Sequence, residues 1–289
     1  MNSTTAFRLT LIASLCVALA ATALTYRISA PSAPVVAVTA PAATMAHSWP
    51  AERTPDRLRV LFIGNSYTER NGGQAYWLSF FSQGRSPAPI IEQEIGEGWS
   101  WADHWEAHHA VERIQEGNWD YVVLQEFSTR PMDSADLMFE YGRKFIAEIR
   151  KVGAQPVLLM TWPRLWLISD DLAHIRSAYE GLARETGASV VPAGVVFEKA
   201  MEMDPTAHLY EIDGRHPSPS GSYLAACLIY AMVYHTSPVG LPTTAHFKDQ
   251  VWFSPDDGDP MQLQQAAAAV ASQYPPLPMV DHLPATTRK

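Results

Sequence analysis

The sequence predicts an α/β fold, a three-layer α/β/α sandwich on a parallel sheet of about five strands. Three observations carry that expectation. From Arg57 onward, short apolar runs rich in strand-formers alternate with longer stretches of helical periodicity. The runs Val60-Leu61-Phe62-Ile63 and Val122-Val123-Leu124 are continuous, as strands covered on both faces are. Glycines follow the helical stretches at Gly117, Gly153 and Gly187, where a C-terminal cap is expected.

Before the alternation starts, the chain shows a targeting pattern. Arg8 supplies a positive start, residues 9–24 are apolar or small, and Ala21 and Ala23 offer a small-residue cleavage site. Residues 1–30 are read as an export signal, with an uncleaved membrane anchor as the alternative, so the expected location is periplasmic or secreted. Cys16 is a weak lipidation site, because Leu15 precedes it where a small residue is expected. Residues 31–55 form an Ala/Pro-rich linker with no core to bury. Residues 56–280 are the expected folded domain.

Within it, residues 58–63 are the first strand. A helix over 74–83 presents Trp77, Leu78, Phe80 and Phe81 as its apolar face. Residues 89–95 form the second strand and 104–116 a helix. Residues 121–125 form the third strand and 135–152 an amphipathic helix. Residues 156–161 are the fourth strand. A helix over 170–186 starts with Asp170 and Asp171, where the helix dipole favours acids. Residues 189–192 are the fifth strand. Helices follow over 195–203, 218–234 and 260–273.

The 289-residue chain has a net charge of -9 and is 47% hydrophobic. The acidic balance argues against nucleic acid, which requires a basic face. It also offers no basic run for an anionic membrane surface. A membrane enters only through the N-terminal anchor. Of the two cysteines, Cys16 lies in the signal, so the mature chain has no internal disulfide. Cys227 sits in an apolar helical pattern and is expected to be a packed core thiol.

Four stretches carry chemistry. In Gly64-Asn65-Ser66, the serine sits at the carboxyl end of a buried strand, where open α/β sheets place ligands. It is a nucleophile if a base reaches it, and an ordinary helix N-cap otherwise. In Asp213-Gly214-Arg215-His216, a carboxylate three residues before an imidazole orients it and fixes its tautomer, unless the two are a turn residue and a surface histidine. Gly98, after the second strand, leaves a backbone N–H open to an oxyanion, and Gln125, ending the third, offers a side-chain N–H to the same atom.

Together these stretches resemble the SGNH hydrolases, the GDSL-like esterase superfamily, over roughly residues 57–235. That family places a Ser after the first strand, a Gly after the second, an Asn after the third and an Asp-x-x-His near the C-terminus. Two positions depart from its pattern: Asn65 stands where Asp is usual, and Gln125 where Asn is usual. The stretch around Trp119 to Glu126 looks like a branch that carries Gln. The resemblance implies a flavodoxin-like fold and a Ser66–His216–Asp213 triad acting on acyl esters. It also implies an oxyanion hole of Ser66, Gly98 and Gln125, and no metal or organic cofactor.

Export and tryptophans at 99, 101, 105, 162 and 166, near the ends of the second and fourth strands, point to acetyl esters on a small molecule or a polysaccharide. The alternatives are an O-acyltransferase and a non-catalytic carbohydrate-binding module. A rival site is the pair His104 and His108, spaced i,i+4 on one predicted helix face, which could chelate zinc. It has no evident third ligand.

A chain shortened to begin at Pro55 should fold unaided. Far-ultraviolet circular dichroism and a single cooperative unfolding transition should match the full-length protein. Insoluble product would move the domain boundary upstream.

Overall fold

Strand β1 (Arg59–Gly64) is the seed of the sheet, because strands add to both of its edges. β2 (Ile90–Ile95) pairs on one side with Val60 opposite Ile91. β3 (Tyr121–Leu124) pairs on the other with Val60 opposite Tyr121. β4 (Gln155–Leu159) and β5 (Ser189–Val191) continue outward from β3. All four pairings are parallel, and the order is β2-β1-β3-β4-β5. The chain reverses its direction of travel at β1, so the crevice above the carboxyl ends of β1 and β3 is the switch point where such sheets bind ligands. This computed structural model describes residues 57–247, 250–253 and 259–279; the expected export signal and linker lie outside the described residues.

The helices, in chain order, are α1 (Ser66–Glu69), α2 (Gly73–Phe81), α3 (Trp101–Glu106), α4 (His109–Glu116), α5 (Arg130–Asp133), α6 (Ala135–Lys151), α7 (Ile168–Thr186), α8 (Ala193–Met203), α9 (Pro219–Tyr234) and α10 (Pro260–Ala271). Side chains alternate across a strand, so each strand feeds two cores. Val60, Phe62, Tyr121, Val123, Val157 and Leu159 pack with Trp77 of α2, Phe197 of α8 and Tyr223 of α9. Leu61, Ile63, Val122, Leu124 and Leu158 pack on the other face with Trp101 of α3, Phe145 and Ile149 of α6 and Tyr179 of α7. This is the three-layer sandwich the sequence predicts.

Helix α9 is buried on every side, Cys227 included. A helix apolar all round needs cover on all faces, and α10 supplies the outer one through Leu263, Ala266, Ala267 and Val270. Gln264 fastens the pair: its Nε2 donates to Tyr223 Oη at 2.6 Å and to the Leu241 carbonyl at 2.9 Å. Among the described residues no helix is long and apolar enough to cross a membrane.

Two expectations require correction. The predicted helix over 104–116 is two helices. α3 starts earlier because Ser100 and Asp103 form a reciprocal capping box. His108 then takes a left-handed conformation, φ 63°, and starts α4 in a new direction. The other concerns residues 245–253, which carry an antiparallel pair, β6 (Ala245–Phe247) and β7 (Gln250–Phe253), that the sequence did not suggest.

Phe197 is fully buried and stacks on Trp162 with ring centroids 4.4 Å apart. Phe197→Ala should lower unfolding free energy by about 3–5 kcal/mol. Urea unfolding measures it, and a loss below about 1 kcal/mol would mean that this stack contributes little to the core.

Candidate active site

The turn after β1 decides what Ser66 does. Asn65, not Ser66, caps α1: its Oδ1 accepts from the Tyr67 N–H at 3.1 Å. Its Nδ2 donates to the Trp99 carbonyl at 2.8 Å, which ties this turn to the loop after β2. The serine hydroxyl is thereby left for another partner, and Ser66 Oγ lies 2.9 Å from His216 Nε2.

His216 is held from its other nitrogen. Its Nδ1 is 2.5 Å from Asp213 Oδ2. Asp213 is placed by its own loop, since Oδ1 accepts from the N–H groups of Arg215 and His216, both at 3.0 Å. Partial burial pushes its pKa up, but these N–H donors, the imidazole and the Arg215 guanidinium overcome that and hold it well below the usual carboxylate range. A carboxylate so held stays ionised and acts as an orienting acceptor.

The loop is a closed turn. Tyr210 and Pro217 bridge antiparallel, the Glu211 N–H donates to the His216 carbonyl at 2.9 Å, and Gly214 turns at φ 62°. Trp162 Nε1 donates to the Arg215 carbonyl at 3.0 Å. Asn71 Nδ2, in the turn that follows α1, donates to the Pro217 carbonyl at 2.9 Å and so joins the serine's segment to the histidine's. Among the described residues, the N–H groups of Ser66 and Gly98 take no intramolecular partner. Gly98 is exposed with φ 70°.

Gln125 differs from its expected placement. Its Oε1 accepts from the Asn65 N–H at 3.0 Å and from Thr68 Oγ1 at 2.8 Å, and its Nε2 donates to the Glu126 carbonyl. The amide therefore sits beneath the Ser66 turn as a brace. The side chain is buried there, 2% exposed.

The His104/His108 pair does not form. His104 is buried and donates from Nε2 to the Gly64 carbonyl at 2.9 Å, whereas His108 lies at the break between α3 and α4 and is exposed. Of the five tryptophans, Trp101 and Trp162 are core residues. Trp99 and Trp105 are half-buried, and Trp166 is 61% exposed beside Gly214. A cavity lined by Asp204, His208 and Asp259 contains none of Ser66, Asp213 and His216.

No protein-family model and no curated protein matches the sequence. Solved structures do. A protein from Slackia heliotrinireducens, proposed to be an SGNH hydrolase, is 25% identical, with a TM-score of 0.52 over 61% of this chain and 99% of that one. The chain is an SGNH-fold protein. Two further structures resemble this one at lower identity, where the likeness is of fold alone. A DUF4886 family protein from Bacteroides uniformis is 18% identical, TM-score 0.60, over 74% of this chain and 95% of that one. An acetyl xylan esterase is 16% identical, TM-score 0.50, over 61% of this chain and 100% of that one.

Glu126 was not singled out by the sequence, because an acid at a strand end reads as a surface residue. It is buried at 1% exposure, and its Oε1 accepts from the N–H groups of Trp101 at 2.9 Å and Phe127 at 2.6 Å. Burial raises its pKa to about 7, against these two donors and the nearby Arg130 charge. A carboxyl with a raised folded pKa binds its proton more tightly folded than unfolded. Its stabilising contribution is present below about 4.5 and lost as pH rises to about 7. The parent should therefore lose on the order of 3 kcal/mol across that window relative to Glu126→Gln. Urea unfolding of both proteins at pH 4.5 and 7 reads the difference, and parallel pH dependences would show that Glu126 does not titrate there.

Proposed function

We propose that this chain is a serine esterase, a carboxylic ester hydrolase that works through an acyl-enzyme. The observation that carries the reading is the relay Ser66 Oγ to His216 Nε2 at 2.9 Å and His216 Nδ1 to Asp213 Oδ2 at 2.5 Å. His216 takes the Ser66 proton as Oγ attacks the ester carbonyl. The C–O bond to the alcohol then breaks, and His216 returns the proton to the leaving oxygen. Water, deprotonated by His216, attacks the acyl-serine, and Ser66 leaves with that proton. Asp213 stabilises the imidazolium in both halves. The N–H groups of Ser66 and Gly98 receive the negative oxygen of each tetrahedral intermediate. Gln125 supports them from below, a role that replaces the donor role expected from the sequence.

The substrate reading is an acetyl ester on a carbohydrate. The exposed Trp166 beside the Asp213–His216 loop supports it, since an indole face accepts a sugar ring. The acetyl xylan esterase among the fold neighbours is in keeping with it. The N-terminal signal pattern would place the enzyme where extracellular saccharides are met.

Ser66→Ala should reduce turnover of p-nitrophenyl acetate by a factor on the order of 10⁴ or more while leaving the fold intact. A fluorophosphonate probe should label the parent and not the variant. Labelling that persists in Ser66→Ala would move the nucleophile elsewhere.

A further inference from the structure

A hydrogen bond and a ring contact single out His104, a buried histidine on α3 that takes no step in the proposed chemistry. The peptide between Gly64 and Asn65, directly before Ser66, is held at both ends. Its N–H donates to Gln125 Oε1 at 3.0 Å. Its carbonyl accepts from the Gly96 N–H at 3.1 Å and from His104 Nε2 at 2.9 Å. A carbonyl only accepts, so the imidazole proton sits on Nε2. His104 Nδ1 is buried and has no partner among the described residues. Burial lowers the His104 pKa and outweighs the Gly64 hydrogen bond and the Glu94 and Asp103 carboxylates, so the ring is a neutral donor.

The same ring reaches the loop after β2. It meets the Trp99 ring edge-on, with centroids 5.0 Å apart. Trp99 closes the turn over residues 96–99. Its N–H donates to the Gly96 carbonyl at 3.0 Å, and its ring folds back so closely that a Cβ on Gly96 would lie 2.1 Å from it. Gly98 stands third in that turn at φ 70°, where glycine is favoured. Helix α3 is itself fastened to the end of β3, because the Trp101 N–H donates to Glu126 Oε1 at 2.9 Å. From this fixed helix, His104 touches both the peptide that leads into Ser66 and the residue that follows Gly98.

We propose that His104 is a positioning residue of the oxyanion hole, which through the Gly64 carbonyl and the Trp99 ring sets where the Ser66 and Gly98 N–H groups stand. This rests on the esterase reading. A peptide that loses one of its carbonyl donors can tilt, and the Ser66 N–H, one residue on, tilts with it. Donors to a developing oxyanion act only from the right place, so a small displacement is felt in the chemical step.

The test compares two amides. In His104→Gln the side-chain nitrogen stands as many bonds from Cα as Nε2 and keeps the bond to Gly64. In His104→Asn it stops one carbon short. On p-nitrophenyl acetate, His104→Asn should lower kcat by about 10- to 100-fold with KM within about twofold, and His104→Gln should recover most of the loss. Phenyl trifluoromethyl ketone, whose adduct with Ser66 carries an oxyanion, should lose affinity for His104→Asn by the factor by which kcat/KM falls. Should His104→Asn not fold, His104→Phe takes its place, since it keeps a ring against Trp99 and lacks the donor.

Parental kcat in His104→Asn, or a loss confined to KM, overturns the proposal. Equal losses in the Asn and Gln variants, or unchanged ketone affinity beside a lowered kcat, assign His104 to packing alone and overturn it too. A parent that turns over no ester overturns the esterase reading instead. The amide resonances of Ser66 and Gly98 then decide the positioning. Displaced in His104→Asn and returned in His104→Gln, they uphold it; unmoved, they overturn it.

Discussion

The turn that carries Ser66 is held by one oxygen, that of the Gln125 side chain. It accepts from the backbone of Asn65 and from the hydroxyl of Thr68, and the turn closes so tightly over it that residue 64 has no space for a side chain. A Cβ there would lie 2.6 Å from Thr68 Oγ1 and 2.7 Å from Gln125 Oε1. Removing the oxygen would leave two buried donors unpaired, a cost of roughly 1–3 kcal/mol for each. The side chain of Asn65 adds the lateral hold, because an amide accepts from Tyr67 and donates to Trp99 at once. A carboxylate at that position could do only the first. The orientation of Ser66 and the position of the loop after β2 are therefore set by the same few hydrogen bonds.

A column of rings makes the other half of the site stiff. Tyr67 stacks on Trp162 at 4.9 Å, Trp162 on Phe197 at 4.4 Å, and Phe197 meets the edge of Tyr210 at 5.5 Å. The first ring belongs to the serine's turn and the last to the strand-like entry of the histidine's loop. Packing at interior density resists displacement of either end, so the separation of Ser66 and His216 is a property of the core as much as of the loops.

The strands were legible because a short, continuous apolar run between stretches of helical periodicity fits a strand covered on both faces and little else. Asp213 and His216 were legible because their spacing alone lets one loop bring them together. The break at His108 was not: apolar spacing runs through it, and a left-handed residue there is decided by the packing of α3 and α4. Gln125 shows the sharper limit. A sequence shows which donor a side chain owns, but its direction depends on which neighbours need an acceptor more. Glu126 was silent for a related reason, since burial of a charged residue type is visible only in three dimensions. The cover that α10 gives to α9 was also hidden, because its alanine-rich face has little apolar signal of its own.

Ser66 and His216 stand 150 residues apart in the chain. The histidine is followed almost at once by α9, a helix with no solvent face. Ribosomes deliver the β1 segment early, at about 5–20 residues per second, and the helix that seats the histidine's loop comes late. Until that helix docks, the chain carries a serine hydroxyl with no base beside it. The Ser66–His216 contact on which the proposed chemistry rests therefore requires nearly the whole domain to be in place.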